Sequence, residues 1–437
     1  MIERPASWLA EAAGARLAAG DPAEPGPRRA LLDSRRAAPG DLFVGLPGEN
    51  VDGGEFAAVA LEQGAWGALV GPAHAGIASE RPLLVAEDPL AALQQLARAW
   101  RRELGCKVIG ITGSTGKTST KDILAGLLEP HLRIHANREN LNTEIGLPLS
   151  VLEAGPGTEA LVLEMAMRGE GQIAELAAIA EPDVGVIVNV GPVHLELLGT
   201  VERVAAAKAE LIRDLAPGTS CVVPASEPLL EAHLRHDLDT WTFGPGGQVM
   251  LLSFEDGQAE IEARGVRHTL RLGFGEPYNL LNTLAAVAAA RAAGVDPEGA
   301  LDVRFSSMRG QVVDLPGGVT VVNDCYNANP MSMRAALEHL ADSPAERRIA
   351  VLGTMAELGA DAPRYHREIG ELADRLGIDL LVTVGEQALG YGEGFAGDAH
   401  SVASPEEAGA LLEELALPGD RVLVKGSRSV GLERVLA

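Results

Sequence analysis

The sequence predicts an α/β protein of three domains: a small N-terminal domain, a central parallel-sheet domain of the phosphate-loop (P-loop) ATPase-like kind, and a C-terminal Rossmann-like domain. Three observations carry that expectation. The 437 residues exceed what one hydrophobic core ordinarily serves. Short apolar runs alternate with helical patterns through the middle of the chain and again from about Arg304 onward, which is the rhythm of βαβ units. Between the first of the middle runs and its helix lies a glycine-rich turn, Thr112-Gly113-Ser114-Thr115-Gly116-Lys117-Thr118.

In chain order, residues 1–86 are expected to form the first domain. Gly40 to Leu46 reads as a strand entered from a turn, Glu55 to Gly64 as a helix, and Trp66 to Val70 as the next strand. The central domain is expected over residues 87–304. Asp88 is the N-cap of its first helix and Pro89 takes the first helical position. That helix runs to about Arg102 and delivers the chain into the strand Lys107 to Ile111. Leu161 to Leu163, Val184 to Val188 and Cys221 to Val223 are near-continuous apolar runs, as expected of parallel strands covered on both faces. Helices near Gly171 to Ala180 and Val201 to Leu215 connect them, and Tyr278 to Ala293 is an Ala-rich helix. Residues 305–437 repeat the alternation: strands Thr320 to Asn323, Ile349 to Leu352, Leu380 to Val384 and Val422 to Val424, helices Ser332 to Leu340, Pro363 to Leu376 and Pro405 to Leu415. That pattern is a doubly wound unit in its own right.

Composition narrows the function classes. Apolar residues make up 46% and aromatics only 3%, so Ala, Leu and Val must fill the cores. A formal net charge of −25 argues against nucleic acid or an anionic membrane surface as a partner. It also requires any site for an anionic substrate to be locally basic. Cys106, Cys221 and Cys325 are odd in number and set in apolar runs, which suits reduced thiols in a cytosol. The start Met1-Ile2-Glu3-Arg4-Pro5 lacks a basic segment followed by an apolar one, and no apolar run is long enough to span a bilayer. A cytoplasmic protein, with no membrane insertion and expected to be a monomer, is the reading.

The glycine-rich turn is built for a nucleotide triphosphate. A strand–glycine turn–helix junction aims free backbone N–H groups and the helix dipole at an anion. Gly113, Ser114, Thr115, Gly116 and Ser119 would line the phosphates, Lys117 would reach the outer ones, and the Thr118 hydroxyl would face Mg²⁺. The spacing departs from the strict G-x-x-x-x-G-K-[ST] pattern, because Ile111 stands five before Gly116. Ligands of open α/β sheets collect beyond the carboxyl ends of strands, so polar residues there become candidates. Glu164 follows Leu161 to Leu163, and His194 follows the run Asn189-Val190-Gly191-Pro192-Val193. Lys208 stands among alanines on the next helix, and Asn279 and Asn282 share a helix face. Asn323-Asp324-Cys325-Tyr326-Asn327-Ala328-Asn329-Pro330 and Val424-Lys425-Gly426-Ser427-Arg428 form polar loops directly after strands.

Together these stretches resemble the Mur ligase family, ATP-dependent amide-forming enzymes of peptidoglycan precursor synthesis, over essentially the whole chain. The phosphate loop is similar to the family's own variant, and Asn140-Leu141-Asn142-Thr143-Glu144-Ile145-Gly146-Leu147-Pro148 resembles its next motif, with Thr143 where many members have a second Asn. The resemblance implies that Glu164 and His194 serve metal and phosphates, that Lys208 is carbamylated by CO₂ into an anionic metal ligand, that Asn282 contacts adenine, and that Arg309 and Asp324 contact the nucleotide. Asp33-Ser34-Arg35 with Gly40 to Phe43, the Asp324 to Met333 loop, His366-Arg367-Glu368-Ile369-Gly370, and Val422 to Arg428 resemble the branch that adds D-alanyl-D-alanine. Two departures are Gly54, where a His is common, and Thr354, where relatives usually carry Asp.

The resemblance therefore implies ATP and two Mg²⁺ ions as cofactors, and UDP-N-acetylmuramoyl-tripeptide and D-alanyl-D-alanine as substrates. The tripeptide carboxylate would take the γ-phosphate as an acyl phosphate, which the dipeptide amine would then attack. Lys117, Lys208 and His194 are the implied catalytic residues. Ser34, Arg35, Asn140, Asn142, Tyr326, Asn327, Asn329, Lys425, Ser427 and Arg428 are the implied substrate contacts. A ligase adding the third peptide residue, a folylpolyglutamate-type ligase, a nucleotide-binding sensor and a ligase-like scaffold are the competing readings. The absent Asp-Asn-Pro-Arg signature counts against the first and the extra N-terminal domain against the second.

Overall fold

Each of three lobes is organised by its own sheet. The computed structural model describes residues 4–138 and 140–436. Met1 to Glu3, part of the N-terminal reading above, lie outside the described residues. The first sheet orders its five strands Arg16–Ala19, Leu83–Val85, Gly67–Val70, Asp41–Val44 and Arg29–Leu31, all parallel except the first. The N-cap expected at Asp88 is present. Its carboxylate accepts from the N–H groups of Leu90 and Ala91, and Pro89–Leu104 is one helix from this lobe into the next.

The central sheet has ten strands. Its parallel part runs Ile134–Ala136, Ala160–Glu164, Lys107–Thr112, Val184–Ile187, Ser220–Pro224 and Asp239–Phe243. The chain goes to opposite sides of Lys107–Thr112 for its next strands, so the glycine-rich turn leaves the sheet where strand order reverses. A crevice opens at such a point. The rest of this sheet differs from the simple alternation read from sequence. Val249–Glu255, Gln258–Ala263 and Val266–Leu272 form antiparallel hairpins. The turns Asp256-Gly257 and Arg264-Gly265 have positive φ at both residues, the geometry that matches strand twist in two-residue loops.

In the third lobe six strands run Gln311–Leu315, Val319–Asp324, Asp420–Lys425, Arg347–Gly353, Leu380–Val384 and Asp398–Val402, and only the first is antiparallel. Its strand order reverses beside Asp324 and Lys425, which brings the two polar loops read from sequence to one crevice. A single apolar cluster extends from Leu9 and Leu42 through Leu163 and Val193 to Met333, Leu352 and Leu423. The lobes therefore meet through packed side chains, and no helix among the described residues is long and apolar enough to cross a membrane.

Candidate active site

The phosphate loop starts at the buried end of Lys107–Thr112 and closes onto the helix Lys117–Leu128. Gly116 caps that helix with φ of 76°, a left-handed conformation that disfavours side chains. A Cβ there would also fall 2.6 Å from Asn282 Oδ1. Asn282 thus reaches the loop from the Ala-rich helix Pro277–Ala292, and its Nδ2 donates to Asn279 Oδ1. Lys117 folds back over the loop, donating to the Gly113 carbonyl at 2.9 Å.

Two of the expected residues meet directly. Thr118 Oγ1 donates to Glu164 Oε2 at 2.7 Å, and Asn142 Nδ2 donates to Glu164 Oε1 at 2.8 Å. Both Thr118 and Glu164 are 3% exposed. The backbone of Glu164 is held on each side by the Asn137 amide, which also donates to the Leu141 carbonyl and so fixes the Asn140 to Pro148 segment. Asn140 itself is exposed, and its carbonyl accepts from the Asn142 N–H at 2.8 Å.

Lys208 is 1% exposed, on the helix Val201–Asp214, and has no ion-pair partner among the described residues. Burial, reinforced by the neighbouring Lys117 charge, holds its amine well below the usual lysine pKa. Lys117 is pushed down chiefly by burial; Glu164 acts in the opposite sense and Arg309 in the same sense. Lys208, Glu164 and Arg309 therefore each lie within electrostatic reach of Lys117. Glu210, two residues past Lys208, accepts from the N–H groups of Gly171 and Ala174, which pins the Lys208 helix to the start of the helix Gln172–Ala180.

His194 occupies a left-handed backbone position and its Nδ1 is tied to the Glu357 carboxylate of the third lobe. Arg168 approaches the other Glu357 oxygen at 3.4 Å. The bond to His194 lowers the Glu357 pKa. Only Nε2 of His194 is left for a ligand, as is usual when a carboxylate orients an imidazole.

From the third lobe, the Arg309 guanidinium stacks over the Tyr326 ring at 4.2 Å. Asp324 is held by Lys425, whose Nζ lies 2.5 Å from its Oδ2 and 3.1 Å from the Asn327 carbonyl. Lys425 is 2% exposed. Ser427 Oγ accepts from the Ala356 N–H, while its own N–H donates to the Thr354 carbonyl. Asn329 is spent on capping its helix and on the phosphate loop. Three of the residues read as substrate contacts, Asn329, Lys425 and Ser427, thus have their polar atoms engaged inside the protein. Tyr326, Asn327 and Arg428 stay more open, although Arg428 is paired with Glu433.

In the first lobe, Ser34 and Arg35 lie on a one-turn 3₁₀ helix, and the exposed Arg35 guanidinium is paired with Asp33. The helix Gly146–Glu153, which follows the Asn142 segment, packs on strand Arg29–Leu31. Gly54 has a local cause: the His74 ring, bonded to Asp52 at 2.8 Å, lies where a side chain at position 54 would go, 2.2 Å from its Cβ position. An imidazole is thus present at that place, supplied from another loop.

Sequence reasoning missed Asn189. Its Oδ1 accepts from the N–H groups of Ser114 and Thr115, and its Nδ2 donates to the Thr115 carbonyl. A polar residue ending an apolar strand was the available signal. Glu357 was missed as well; it follows a strand by a few residues and has φ of 63°.

The fold and this centre define a three-lobed α/β protein built around a phosphate loop. The chain belongs to the Mur ligase family. Residues 111–290 match the Mur ligase middle domain, residues 308–428 the Mur ligase glutamate ligase domain, and residues 31–101 the Mur ligase family catalytic domain. The UDP-N-acetylmuramoyl-tripeptide–D-alanyl-D-alanine ligase of Bacillus subtilis is 34% identical over 419 residues, covering 92% of this chain and 91% of that protein. MurF from Acinetobacter baumannii superposes with a TM-score of 0.87 at 29% identity, over 99% of this chain and 98% of that one. MurF from Thermotoga maritima, solved in complex with ADP, gives 0.82 at 33% identity, over 94% and 96%.

Proposed function

We propose that this chain is an ATP-dependent ligase that joins D-alanyl-D-alanine to the terminal carboxylate of UDP-N-acetylmuramoyl-tripeptide. The observation that carries the reading is the end-to-end similarity to ligases of that name, together with the site above. A carboxylate does not condense with an amine unaided, so the γ-phosphate of ATP must first be transferred to it. The carboxyl oxygen bonds to phosphorus as ADP leaves; the amine then bonds to the acyl carbon, and inorganic phosphate leaves with that oxygen. Both steps crowd negative groups together, so positioning and charge neutralisation supply the catalysis.

The residues fit a nucleotide and divalent cations. A left-handed glycine heads the loop helix, a buried hydroxyl–carboxylate pair lies beside it, and the buried Lys208 amine, with no ion-pair partner among the described residues, lies within electrostatic reach of Lys117. We assign Thr118 and Glu164 to one Mg²⁺, and Lys208 as its carbamate with His194 Nε2 to the other. Bound there, the ions supply charge neutralisation at the phosphates. Lys117 would leave the Gly113 carbonyl for the outer phosphates. Asn282 would meet the adenine, with Asp324 and Arg309 on the nucleotide and Arg309 parked meanwhile on Tyr326. Ser34 and Arg35 would hold the uridine diphosphate end, with Arg35 exchanging Asp33 for phosphate. Tyr326, Asn327 and Arg428 are assigned to the peptide and dipeptide. Domain limits at 86/87 and 304/305, a monomeric state and a cytoplasmic setting complete the proposal. The three cysteines support that setting, being free and buried.

Phosphate release from ATP should require both UDP-muramoyl-tripeptide and D-alanyl-D-alanine, with pentapeptide formed in equal amount. If a single free amino acid served in place of the dipeptide, on a dipeptide acceptor, the assignment would pass to a ligase adding the third residue. Glu164→Gln should raise the Mg²⁺ concentration for half-maximal rate by about tenfold or more. The amide keeps an acceptor for Thr118, and the Asn142 amide has to turn its oxygen toward the new N–H group, so thermal stability should fall only modestly. A metal requirement identical to wild type would remove Glu164 from the metal site.

A further inference from the structure

Gly191 lies directly under the third lobe. A Cβ at that position would fall 1.8 Å from Met331 Sδ and 2.9 Å from its Cγ, so the Met331 side chain rests on Gly191 in space that a side chain at 191 would claim. On its other side, Gly191 exchanges two hydrogen bonds with the Ser114 hydroxyl: its N–H donates to Oγ at 2.9 Å, and Oγ donates to its carbonyl at 3.1 Å. The Ser114 carbonyl accepts from Asn329 Nδ2 at 3.4 Å. Asn329 and Met331 stand two residues apart at the start of the helix Pro330–Asp342, where Asn329 Oδ1 also accepts from the Ser332 N–H to complete a capping box. Asn329 and Ser114 are both 4% exposed.

Two residues of one lobe thus bear on one residue of the phosphate loop from two directions. The Ser114–Thr115 peptide unit is planar, so the direction of the Ser114 carbonyl fixes that of the Thr115 N–H. Asn329 holds the carbonyl end from the third lobe, and Asn189 Oδ1 holds the N–H end from the central sheet at 3.0 Å. A plane tethered at both ends resists rotation, and with the Thr115 N–H spent on Asn189 it fixes the course of the loop into Gly116, on which the direction of the loop's remaining amides depends.

We propose that Asn329 and Met331 are positioning residues through which the seated third lobe sets the phosphate loop for nucleotide, so that lobe docking is reported to the loop through Ser114 and Gly191. The identity of the nucleotide rests on the ligase reading; the mechanical link does not.

Asn329→Asp separates this role from capping. Aspartate caps a helix as well as asparagine, yet it has no N–H to offer the Ser114 carbonyl. Its carboxylate is buried against the Ser114 carbonyl, so the thermal midpoint of the full chain should fall, and nucleotide binding is read well below that midpoint. The KM for ATP and the dissociation constant of a fluorescent ATP analogue should each rise by about fivefold, the scale of one hydrogen bond with a poor replacement, and kcat should fall less. Gly191→Ala should weaken ATP use by about tenfold through the clash. Met331→Ala in the same chain should recover most of that loss by vacating the space. Unchanged nucleotide affinity in Asn329→Asp, or a Gly191→Ala defect that Met331→Ala does not relieve, overturns the link. Nucleotide binding and amide formation are read separately on the wild-type chain. Binding without amide formation sinks the ligase reading alone, and absence of nucleotide binding sinks both.

Discussion

Lys117→Ala is expected to lower the rate of amide formation by at least about a thousandfold, on the order of 4 kcal/mol of transition-state stabilisation. The chain carries a net charge of −25, so the field of the whole molecule opposes an approaching triphosphate. Attraction has to come from nearby groups, and among them Lys117 alone stands in the loop itself. Its amine already lies over the loop, 2.9 Å from the Gly113 carbonyl, so nucleotide binding exchanges a neutral acceptor for an anionic one without moving the backbone. The loss should fall more on kcat than on the KM for ATP, because the transferring phosphoryl group spreads charge over its oxygens only as it leaves. Lys117→Arg should recover little, since a planar guanidinium is larger than an ammonium and the loop carbonyls leave it no fork to fill. Folding should not suffer, because burial already disfavours the charged amine. Phosphate release and pentapeptide formation, measured beside a thermal melt, check all three statements. Wild-type turnover in Lys117→Ala would remove the phosphate loop from the chemistry.

What the sequence allowed to be read divides along a physical line. Local signals were legible: Asp88 as a cap, Pro89 behind it, the strand into the glycine turn, and the alternation of the last lobe all appear where the chain places them. The hairpins of residues 249–272 have half-exposed strands that lack the continuous apolar runs of the buried parallel ones, and the alternation of Gln258–Ala263 with the Asp-Gly and Arg-Gly turns is the local signal that marks them. Non-local facts were the harder part. Lys208 among alanines has the look of a solvated face until its helix is laid against the sheet that hides it. The engagement of Asn329, Lys425 and Ser427 inside the protein depends on which strands end side by side, and strand order is not written in any short segment. Gly54 is the clearest instance: it reads as a lost imidazole, and the fold returns one from His74, twenty residues on.

The second large effect is expected at Lys208, where activity and stability should move in opposite directions. Lys208→Met replaces an amine by a thioether of similar length. Turnover should fall by about a hundredfold or more if the amine, as a carbamate, holds a metal. Stability should not fall with it, because the variant no longer buries a nitrogen beside the Lys117 charge. The sign of the pH dependence follows from linkage. In the folded chain the uncarbamylated Lys208 has a pKa well below its ordinary value, while in the unfolded chain it titrates near about 10.4. Between those two values the unfolded state binds more protons, so the penalty for burying Lys208 is full below the folded pKa, shrinks as pH rises, and vanishes above the unfolded pKa. The difference in stability between Lys208→Met and wild type should therefore narrow with rising pH, by at most about 1.4 kcal/mol per unit for one proton. The same lowering of the pKa favours the neutral amine, the form that attacks CO₂, so wild-type activity should decline in CO₂-depleted buffer and return with bicarbonate, whereas Lys208→Met should respond to neither. A variant that is fully active, or a wild type indifferent to CO₂ removal with no CO₂ adduct in its intact mass, would leave Lys208 a buried amine and nothing more.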